Sequence, residues 1–478
     1  MSHLRPGPLV LDRAPAGGGE RAAPSSKTSR GWVPRWAGAT TAVITFVAYL
    51  PGLGRSLDFD SAETVGLFVK TGPPWAAFQR QAVFNNHPFF SFLEQLVRMT
   101  TGTTGAATMR LLPIACGALA VGVLTWFAAR RHGLVAGITA GVVLAANPTF
   151  AGLSRSVRGY SLLTLCAVVS TVLVADDRPG RSRWHDAAYV VVAGVGLATH
   201  LYMAPVLAAH AGVVIARRQL DERWRLRFLG AMAVAAVAYA GMARAMVDAT
   251  AAHARTFQAD MPWRVATMVT GGGWASVALA PLVVAGAIIV LRRPGPRGGA
   301  VALAAVLVVL WAGLQSAALS DRFFVWLVPG AAYLVAVAVG RLPVAALAVA
   351  GWTALAVALV VPGFTTDPTA YRQAAAVIRA VDAAGARACV VDVGVPPMLG
   401  YLDAPRQFTV VTDPGQLDSC DVVVVAAWWQ STKPWFAADN RVIAAAEHRY
   451  AHRTVLPATD PTLVFSRDEV LTSVLRNA

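Results

Sequence analysis

Long apolar stretches, broken by short polar segments, recur along the first three quarters of the chain. A membrane-spanning helix needs roughly 20 mostly apolar residues, and eleven stretches approach that length. They predict helices over residues 36–54, 107–129, 134–150, 158–175, 186–199, 201–216, 226–246, 272–291, 299–318, 323–340 and 343–362. The pattern therefore predicts a mainly α, polytopic membrane protein.

Three regions do not follow this pattern. Residues 1–35 are rich in Gly, Pro, Ala and Ser, which predicts a disordered tail. Residues 55–106 form a large first external loop within the predicted membrane domain, 36–364. Residues 365–478 alternate a helical pattern with short β-branched runs, which predicts a small α/β domain. Its predicted elements are a helix over 371–384 and strands over 388–393, 408–411, 421–425 and 462–465.

Composition agrees with a membrane protein. Of the 478 residues, 56% are hydrophobic and only 14% are charged, and the mean hydropathy is +0.53. These values exclude an ordinary soluble enzyme and a disordered chain. The basic residues are nearly all Arg and the chain is rich in Ala, Val and Gly, which is typical of a GC-rich coding sequence. We therefore expect a bacterial plasma membrane protein.

The net charge of +15 raises the possibility of nucleic-acid binding, but its distribution points elsewhere. The loops on the N-terminal side of the map hold 20 basic and 7 acidic residues, a net charge of +13. Lys and Arg collect in cytoplasmic loops, so the N-terminus is predicted to be cytoplasmic. Eleven spans then place the C-terminal domain outside. The excess of basic residues therefore indicates the orientation of the chain in the membrane, and no nucleic-acid partner is expected.

The first external loop holds three carboxylates within six residues, Asp58, Asp60 and Glu63. Acids beside a bilayer are costly unless they face water or a cavity. Asp60 and Glu63 are three residues apart, so a helix would place them on one face. The alternative is structural, with Asp60 or Ser61 capping a short interfacial helix.

Other external loops supply a histidine, arginines and a tyrosine. His87 precedes Pro88 and an aromatic run, and it is either a ligand or a structural histidine. Arg155 and Arg158 oppose the trend of positive charge inside. They suit contact with a phosphate, or with lipid headgroups. Tyr160 follows directly, and the segments 199–202 and 320–323 lie on the same side.

The ordered set of these segments resembles the polytopic GT-C glycosyltransferases of the protein-mannosyltransferase and aminoarabinose-transferase type, families 39 and 83. The resemblance covers roughly residues 36–345. It rests on Asp60 and on residues 86–90, 109–113, 158–162, 199–202 and 321–323. Two positions depart from the family pattern. Ser61 follows Asp60 where an acid is common, and Ser156-Val157 stands where many members have an acid.

The resemblance implies transfer of one sugar from a polyprenyl-phosphate donor to an acceptor hydroxyl of a glycan, lipid or protein, with inversion, on the extracytoplasmic face. Asp60 is the expected general base, with Asp58 or Glu63 as a supporting acid. The expected ligands of the donor phosphate are Arg158, Arg322, His87, Tyr160 and His200. A divalent cation (Mg, Mn or Zn) held by Asp60, Glu63 and His87 is one option.

Two further hypotheses concern the C-terminal domain. A disulfide between Cys389 and Cys420 would be allowed outside the cell, whereas Cys116 and Cys166 are expected to serve helix packing. Trp428, Trp429 and Trp435 suit either a sugar-stacking or membrane-contact patch, or core packing. Two alternatives to a transferase remain at this stage, a lipid or sugar transporter and a non-catalytic membrane scaffold.

Overall fold

The computed structural model describes residues 32–70, 72–79, 86–177, 182–217, 219–244, 246–247, 259–273, 275–292, 320–342, 344–402, 407–427 and 437–467. The apolar region is helical, as predicted. Its helices are α1 (Trp32–Ala48), α2 (Phe59–Glu63), α3 (Pro88–Thr101), α4 (Ala106–His132), α5 (Leu134–Ala146), α6 (Pro148–Leu153), α7 (Tyr160–Ala175), α8 (Arg183–Thr199), α9 (Ala204–Ala216), α10 (Glu222–Tyr239), α11 (Met261–Thr270), α12 (Ala275–Leu291), α13 (Val328–Val339) and α14 (Ala345–Thr365).

Shorter helical turns connect several of these helices. A π-helical turn, Thr64–Val69, continues α2. The 3₁₀ turns are Pro74–Phe78, Leu201–Met203, Ala240–Met242 and Asp321–Leu327.

The described helices indicate a membrane location. Three of them are long and apolar enough to cross a bilayer, Ala106–His132, Glu222–Met242 and Asp321–Val339, and the bent pair α11–α12 adds a fourth if it is one span. Large apolar side chains are exposed on outward faces, as on α1 at Val43 and Ile44. The predicted count of eleven spans is not confirmed, and the stretch 299–318 lies outside the described residues.

The predicted span over residues 134–150 is two helices, α5 and α6, separated at Asn147. Proline disfavours helical backbone at the residue before it, and Pro148 begins α6. The Asn147 side chain accepts a hydrogen bond from Phe150 N at 2.9 Å and so caps α6. The short helix α6 therefore follows the break and leads directly into the loop that carries Arg155 and Arg158.

The C-terminal region contains a five-stranded sheet in the order β2-β1-β3-β5-β4. β1 lies parallel to β2 and β3, whereas β5 is antiparallel to β3 and β4. The predicted helix and four strands are present, and one strand, β4, was not predicted. The elements are α15 (Tyr371–Ala383), β1 (Ala388–Val391), α16 (Val395–Leu399), β2 (Thr409–Val411), β3 (Val422–Val425), α17 (Ala437–Arg449), β4 (His452–Leu456) and β5 (Thr462–Ser466).

The four cysteines divide as the sequence suggested. Cys389 in β1 and Cys420 before β3 form a disulfide. Cys116 and Cys166 are buried free thiols in α4 and α7. The bridge ties the turn before β3 to the centre of the sheet.

The sheet region packs directly on the start of the first external loop. Gly400, after α16, lies so close to α2 that an added Cβ would stand 2.7 Å from the carbonyl oxygen of Ala62. Gly66 faces it in the same way, because its added Cβ would lie 2.7 Å from the backbone nitrogen of Gly400. Two backbones therefore meet without intervening side chains. One apolar cluster includes Leu57 and Val65 from the loop and Met398 from α16.

Candidate active site

The segment before α2 is held on one side by Arg110 of α4. This buried guanidinium group donates hydrogen bonds to three carbonyls of the segment. Its Nη1 lies 2.6 Å from Leu53 O and 2.8 Å from Arg55 O, and its Nη2 lies 2.7 Å from Ser56 O. A planar fork with five donors suits such a run of acceptors. The route of the chain into α2 is thereby fixed.

The C-terminal region holds the same segment from the other side. The Tyr401 hydroxyl accepts a hydrogen bond from Leu57 N and lies 3.2 Å from Ser56 Oγ. Thr369 Oγ1 donates to Leu57 O at 2.7 Å, and Ser56 N donates to an Asp367 oxygen at 2.9 Å. Every one of these contacts spans more than 300 residues of sequence.

Asp58 is the N-cap of α2. One of its oxygens accepts from Ser61 N at 2.8 Å, and the other accepts from Ser61 Oγ at 2.8 Å and from Ser156 Oγ at 3.2 Å. A short acidic side chain at this position satisfies a free helical N–H. The structural alternative raised from the sequence thus holds at Asp58, and Asp60 and Ser61 are not the cap.

Asp60 lies in the first turn of α2 and forms an ion pair with Arg322. Arg322 is placed by the 3₁₀ turn Asp321–Leu327, which precedes α13. The Asp60 side chain is 15% exposed and that of Arg322 is 37% exposed, so the pair is reachable from outside. A carboxylate and a guanidinium from loops 262 positions apart therefore meet at an accessible point.

Arg158 and Glu63 lie behind that pair, out of solvent. Arg158 is fully buried, and its Nη1 lies 3.9 Å from a Glu63 oxygen. The same nitrogen donates to Thr64 Oγ1 at 3.1 Å. The loop that carries Arg158 is tied to α2, because Val157 N donates to Ser61 Oγ at 2.8 Å. Ser61 and Ser156 occupy positions where the related family often has acids, and here they join the two loops.

His87, Tyr160 and His200 form a ring cluster beside the two arginines. The His87 ring centroid lies 4.8 Å from that of His200 and 5.2 Å from that of Tyr160. The Arg322 guanidinium lies 6.0 Å from the Tyr160 ring centroid, within the range of a cation–π contact. All five residues expected to bind the donor phosphate therefore lie in one neighbourhood.

Both histidines of this cluster are neutral at physiological pH. Burial, and after it the nearby cations Arg158 and Arg322, lower the pKa of His200 to about 3. Burial also holds the pKa of His87 well below its ordinary value, with Arg158 the next cause. Desolvation and like charge both disfavour an imidazolium ion. These rings are thus hydrogen-bonding groups and not additional cations.

The residues suggested for a divalent cation do not fit one. Among the described residues, no three His, Cys, Asp or Glu side chains are close enough to hold a metal ion. Asp60 pairs with Arg322, Glu63 faces Arg158, and His87 stacks against rings near the same two arginines. Guanidinium groups thus lie beside Asp60 and Glu63, and among the described residues the three suggested ligands do not form a metal-binding group.

Sequence reasoning missed the residues that hold the loop. Arg110 belonged to a recognised segment, 109–113, yet only the structure gives its contacts. Tyr401 and Thr369 carried no local signal, because their partners are distant in sequence. Trp428, Trp429 and Trp435 lie outside the described residues, so the patch they were expected to form stays a prediction.

Comparisons with known proteins place the fold. Neither a protein-family model nor a curated protein sequence matches the chain. Among solved structures, apo ArnT from Cupriavidus metallidurans aligns with a TM-score of 0.59 at 14% identity, over 93% of this chain and 99% of ArnT. The same protein bound to undecaprenyl phosphate aligns with a TM-score of 0.58 at 15% identity and the same coverage.

A second similar structure is the archaeal oligosaccharyltransferase AglB from Archaeoglobus fulgidus, in complex with an inhibitory peptide and a dolichol-phosphate. It aligns with a TM-score of 0.50 at 11% identity, over 92% of this chain and 75% of AglB. ArnT and AglB are both GT-C proteins. The resemblance noted in the sequence is thus confirmed at the level of the fold.

Proposed function

We propose that this protein is a membrane glycosyltransferase that moves a single sugar from a polyprenyl-phosphate donor to an acceptor hydroxyl on the extracytoplasmic face. The acceptor class comprises cell-envelope glycans, lipids and proteins. The observation that carries the proposal is the Asp60–Arg322 pair, at the edge of a cluster containing Arg158, His87 and His200. A base and fixed cations in one place are what this reaction requires.

Asp60 acts as the general base. In an inverting transfer the acceptor oxygen attacks the anomeric carbon from the face opposite the phosphate, while the hydroxyl proton passes to a carboxylate. One carboxylate suffices, because no covalent sugar–enzyme bond forms, by analogy with inverting glycoside hydrolysis. Asp60 is the most accessible of the loop acids that bear on the cluster, since Glu63 is buried. Asp58 is already engaged as a helix cap.

Arg322 and Arg158 stabilise the leaving group. The bond between the anomeric carbon and the phosphate oxygen breaks, and the polyprenyl phosphate leaves with one more negative charge. Fixed guanidinium groups compensate that charge without needing a proton donor. His200 accepts a hydrogen bond from Tyr202 N at Nδ1, so its neutral ring can donate the Nε2–H to a phosphate oxygen, and His87 packs against that ring. Because Asp60 pairs with Arg322, a donor phosphate that engages the arginine would free the carboxylate.

Two structural neighbours support the choice of donor. ArnT has been crystallised with undecaprenyl phosphate, and AglB with a dolichol-phosphate. A fold shared with both supports a donor that carries a long isoprenoid chain, which would also explain why a transferase needs so many apolar helices. The exposed apolar faces of the described helices are consistent with such a lipid substrate.

Substitution of Asp60 tests the proposal. In membranes supplied with a polyprenyl-phosphate sugar, Asp60→Asn should abolish transfer, because the amide cannot take the proton. Insertion and yield should be unchanged, since the amide keeps the size of the side chain and can still accept a hydrogen bond from Arg322. Product is measured by mass spectrometry of the acceptor fraction. Full transfer by this variant would refute the role of Asp60.

A matched control is Asp418→Asn, in the external domain. That carboxylate is 76% exposed and pairs only with Arg449 among the described residues. The Asp418→Asn protein should transfer the sugar at the wild-type rate.

A second test concerns the donor phosphate. Arg322→Gln should raise the donor KM about tenfold or more, the scale of one lost charge-assisted contact. An unchanged donor KM would remove Arg322 from the donor site.

A further inference from the structure

A second basic site lies at the start of α2, beside its cap Asp58. It is a cavity of about 240 Å³, here called the arginine cavity, and it is lined by three arginines, Arg55, Arg110 and Arg155, together with Asp58. Phe364 and Val360, near the end of α14, form an apolar wall. Its volume far exceeds the roughly 15 Å³ that one water molecule requires.

Neutral groups are the partners of these arginines within the described residues. Arg110 donates only to carbonyl oxygens, including that of Arg155 at 3.2 Å. Arg155 donates to Pro51 O and stacks on Phe364, with its guanidinium carbon 3.8 Å from the ring centroid. Arg55 donates to Thr366 O at 3.2 Å. Carbonyls orient the guanidinium groups without neutralising them, and Asp58 and Asp367 are the carboxylates within electrostatic range of Arg110.

The acids nearby do not balance this charge. Asp58 is the one acid that lines the cavity, and its oxygens accept hydrogen bonds from serines. Asp367 accepts from a backbone amide, and Asp460 lies within electrostatic range of Asp58, while Arg372 adds a further positive charge close by. The lining itself therefore carries three positive charges against one negative charge.

The crowding of like charge is visible at Arg155. Burial lowers the pKa of this guanidinium to about 10, and the neighbouring cations Arg110 and Arg55 are the next causes. Arginine keeps its proton in proteins, so the group stays charged and its repulsion is unrelieved. An anion in the cavity would remove that repulsion.

The cavity and the proposed donor site are neighbours, because one short loop supplies an arginine to each of them. Arg155 faces the cavity, whereas Arg158, three residues later, lies beside Glu63. Between them, Ser156 donates to Asp58, the cap of α2. An anion bound in the cavity would thus sit against the helix that carries Asp60, without competing for the donor cations.

We propose that the arginine cavity binds the phosphate group of a lipid. Three guanidinium groups suit phosphate geometry, and the apolar wall at the end of α14 suits the first carbons of a lipid chain. The phosphate comes either from a bilayer phospholipid or from a lipid-linked acceptor. The second source rests on the proposed function, because it would hold the acceptor beside the base.

Binding to the full-length protein in a phosphate-free detergent tests this site. Inorganic phosphate is titrated by calorimetry into Arg322→Gln, in which the donor site is weakened, so the remaining binding reports the arginine cavity. Adding Arg55→Gln and Arg155→Gln should weaken phosphate binding at least about tenfold, the scale of one lost charge-assisted contact. As a matched control, Arg130→Gln with Arg131→Gln, two arginines that pair with Asp176, should leave it unchanged.

Two results would overturn the proposal: no phosphate binding in the Arg322→Gln protein, or equal affinity after the cavity arginines are removed. If the double substitution fails to fold, the single Arg55→Gln, at a half-exposed side chain, should still weaken binding severalfold.

A competition experiment with dioleoylphosphatidylglycerol identifies which molecule supplies the phosphate. Tighter binding of this lipid than of phosphate assigns the site to bilayer headgroups, whereas phosphate binding that the lipid does not compete for assigns it to the acceptor. Transfer by Asp60→Asn would refute the enzyme mechanism and leave this result standing.

Discussion

Removing one oxygen atom at Tyr401 should loosen the contact between the C-terminal region and the segment that leads to Asp60. Tyr401→Phe keeps the ring and its packing but removes the hydroxyl that accepts from Leu57 N and contacts Ser56 Oγ. Leu57 is 1% exposed, so water cannot readily replace the lost acceptor. The segment that leads into the cap at Asp58 then loses a fixed point, and Asp60 lies two residues beyond that cap.

The magnitude follows from the burial of that amide. A buried N–H left without an acceptor costs about 1–3 kcal/mol, which is about 5- to 150-fold in an equilibrium constant. The loop can avoid this cost by moving. A displacement of about 1 Å in a catalytic group can reduce a rate about 100-fold, so we expect the transfer rate of Tyr401→Phe to fall at least about tenfold.

The assay compares Tyr401→Phe with Tyr450→Phe. The Tyr450 hydroxyl is also buried in the C-terminal region, where it donates to Leu417 O at 2.9 Å and Cys420 O at 3.0 Å, far from the loop. Both variants should lower Tm by a similar amount, whereas only Tyr401→Phe should lose transfer activity per folded molecule. Equal activity in the two variants would refute the idea that the C-terminal domain positions the loop.

Three other changes have expected outcomes. Gly400→Ala places a methyl group 2.7 Å from Ala62 O and should cost about 1–3 kcal/mol, seen as a lower Tm. Cys389→Ser with Cys420→Ser opens a link between residues 31 apart and should destabilise the sheet by about 3–4 kcal/mol, measured by chemical unfolding. Because the pKa of His200 is about 3 in the folded protein, the unfolded chain takes up a proton first as pH falls below about 6.5, and stability declines. His200→Gln should therefore flatten the loss of Tm between pH 6.5 and pH 5.

Each of these has a result that would contradict it. Gly330→Ala, where an added Cβ meets nothing within 4 Å, is the control for Gly400→Ala, and equal Tm values would remove the close approach as a constraint. For the disulfide, an unchanged unfolding midpoint in the serine variant would contradict the predicted stabilisation. For His200, a pH slope identical to that of the wild type would show that its neutral state carries no stability.

The sequence predicted the elements whose signals are local. Apolar runs located most helices, and β-branched runs located four of the five strands. β4 was missed because this short edge strand begins with three polar residues, His452, Arg453 and Thr454, and has only two apolar residues at its end. The break at Asn147 was missed because apolar residues continue on both sides of it.

At the candidate site, residue types were easier to predict than their pairings. Asp60, Arg158 and Arg322 were named from loops predicted to face one side, and the structure brings them into one neighbourhood. Which acid caps α2 depends on a single backbone turn, and Asp58 takes that position. The hydrogen bond from Leu57 N to the Tyr401 hydroxyl joins residues 344 positions apart, and the local sequence around neither residue predicts the other.

The contact of Tyr401 with Ser56 and Leu57 also determines when the site can form during the synthesis of the protein. Contacts between residues far apart in sequence form late, because a long loop must close first. The apolar helices can enter the bilayer one after another, but the loop bearing Asp60 cannot reach its final shape until residue 401 has been made and folded against it. A growing chain with every apolar helix already in place would therefore still lack the ordered segment that bears Asp60, and the proposed activity would begin only once the sheet has docked.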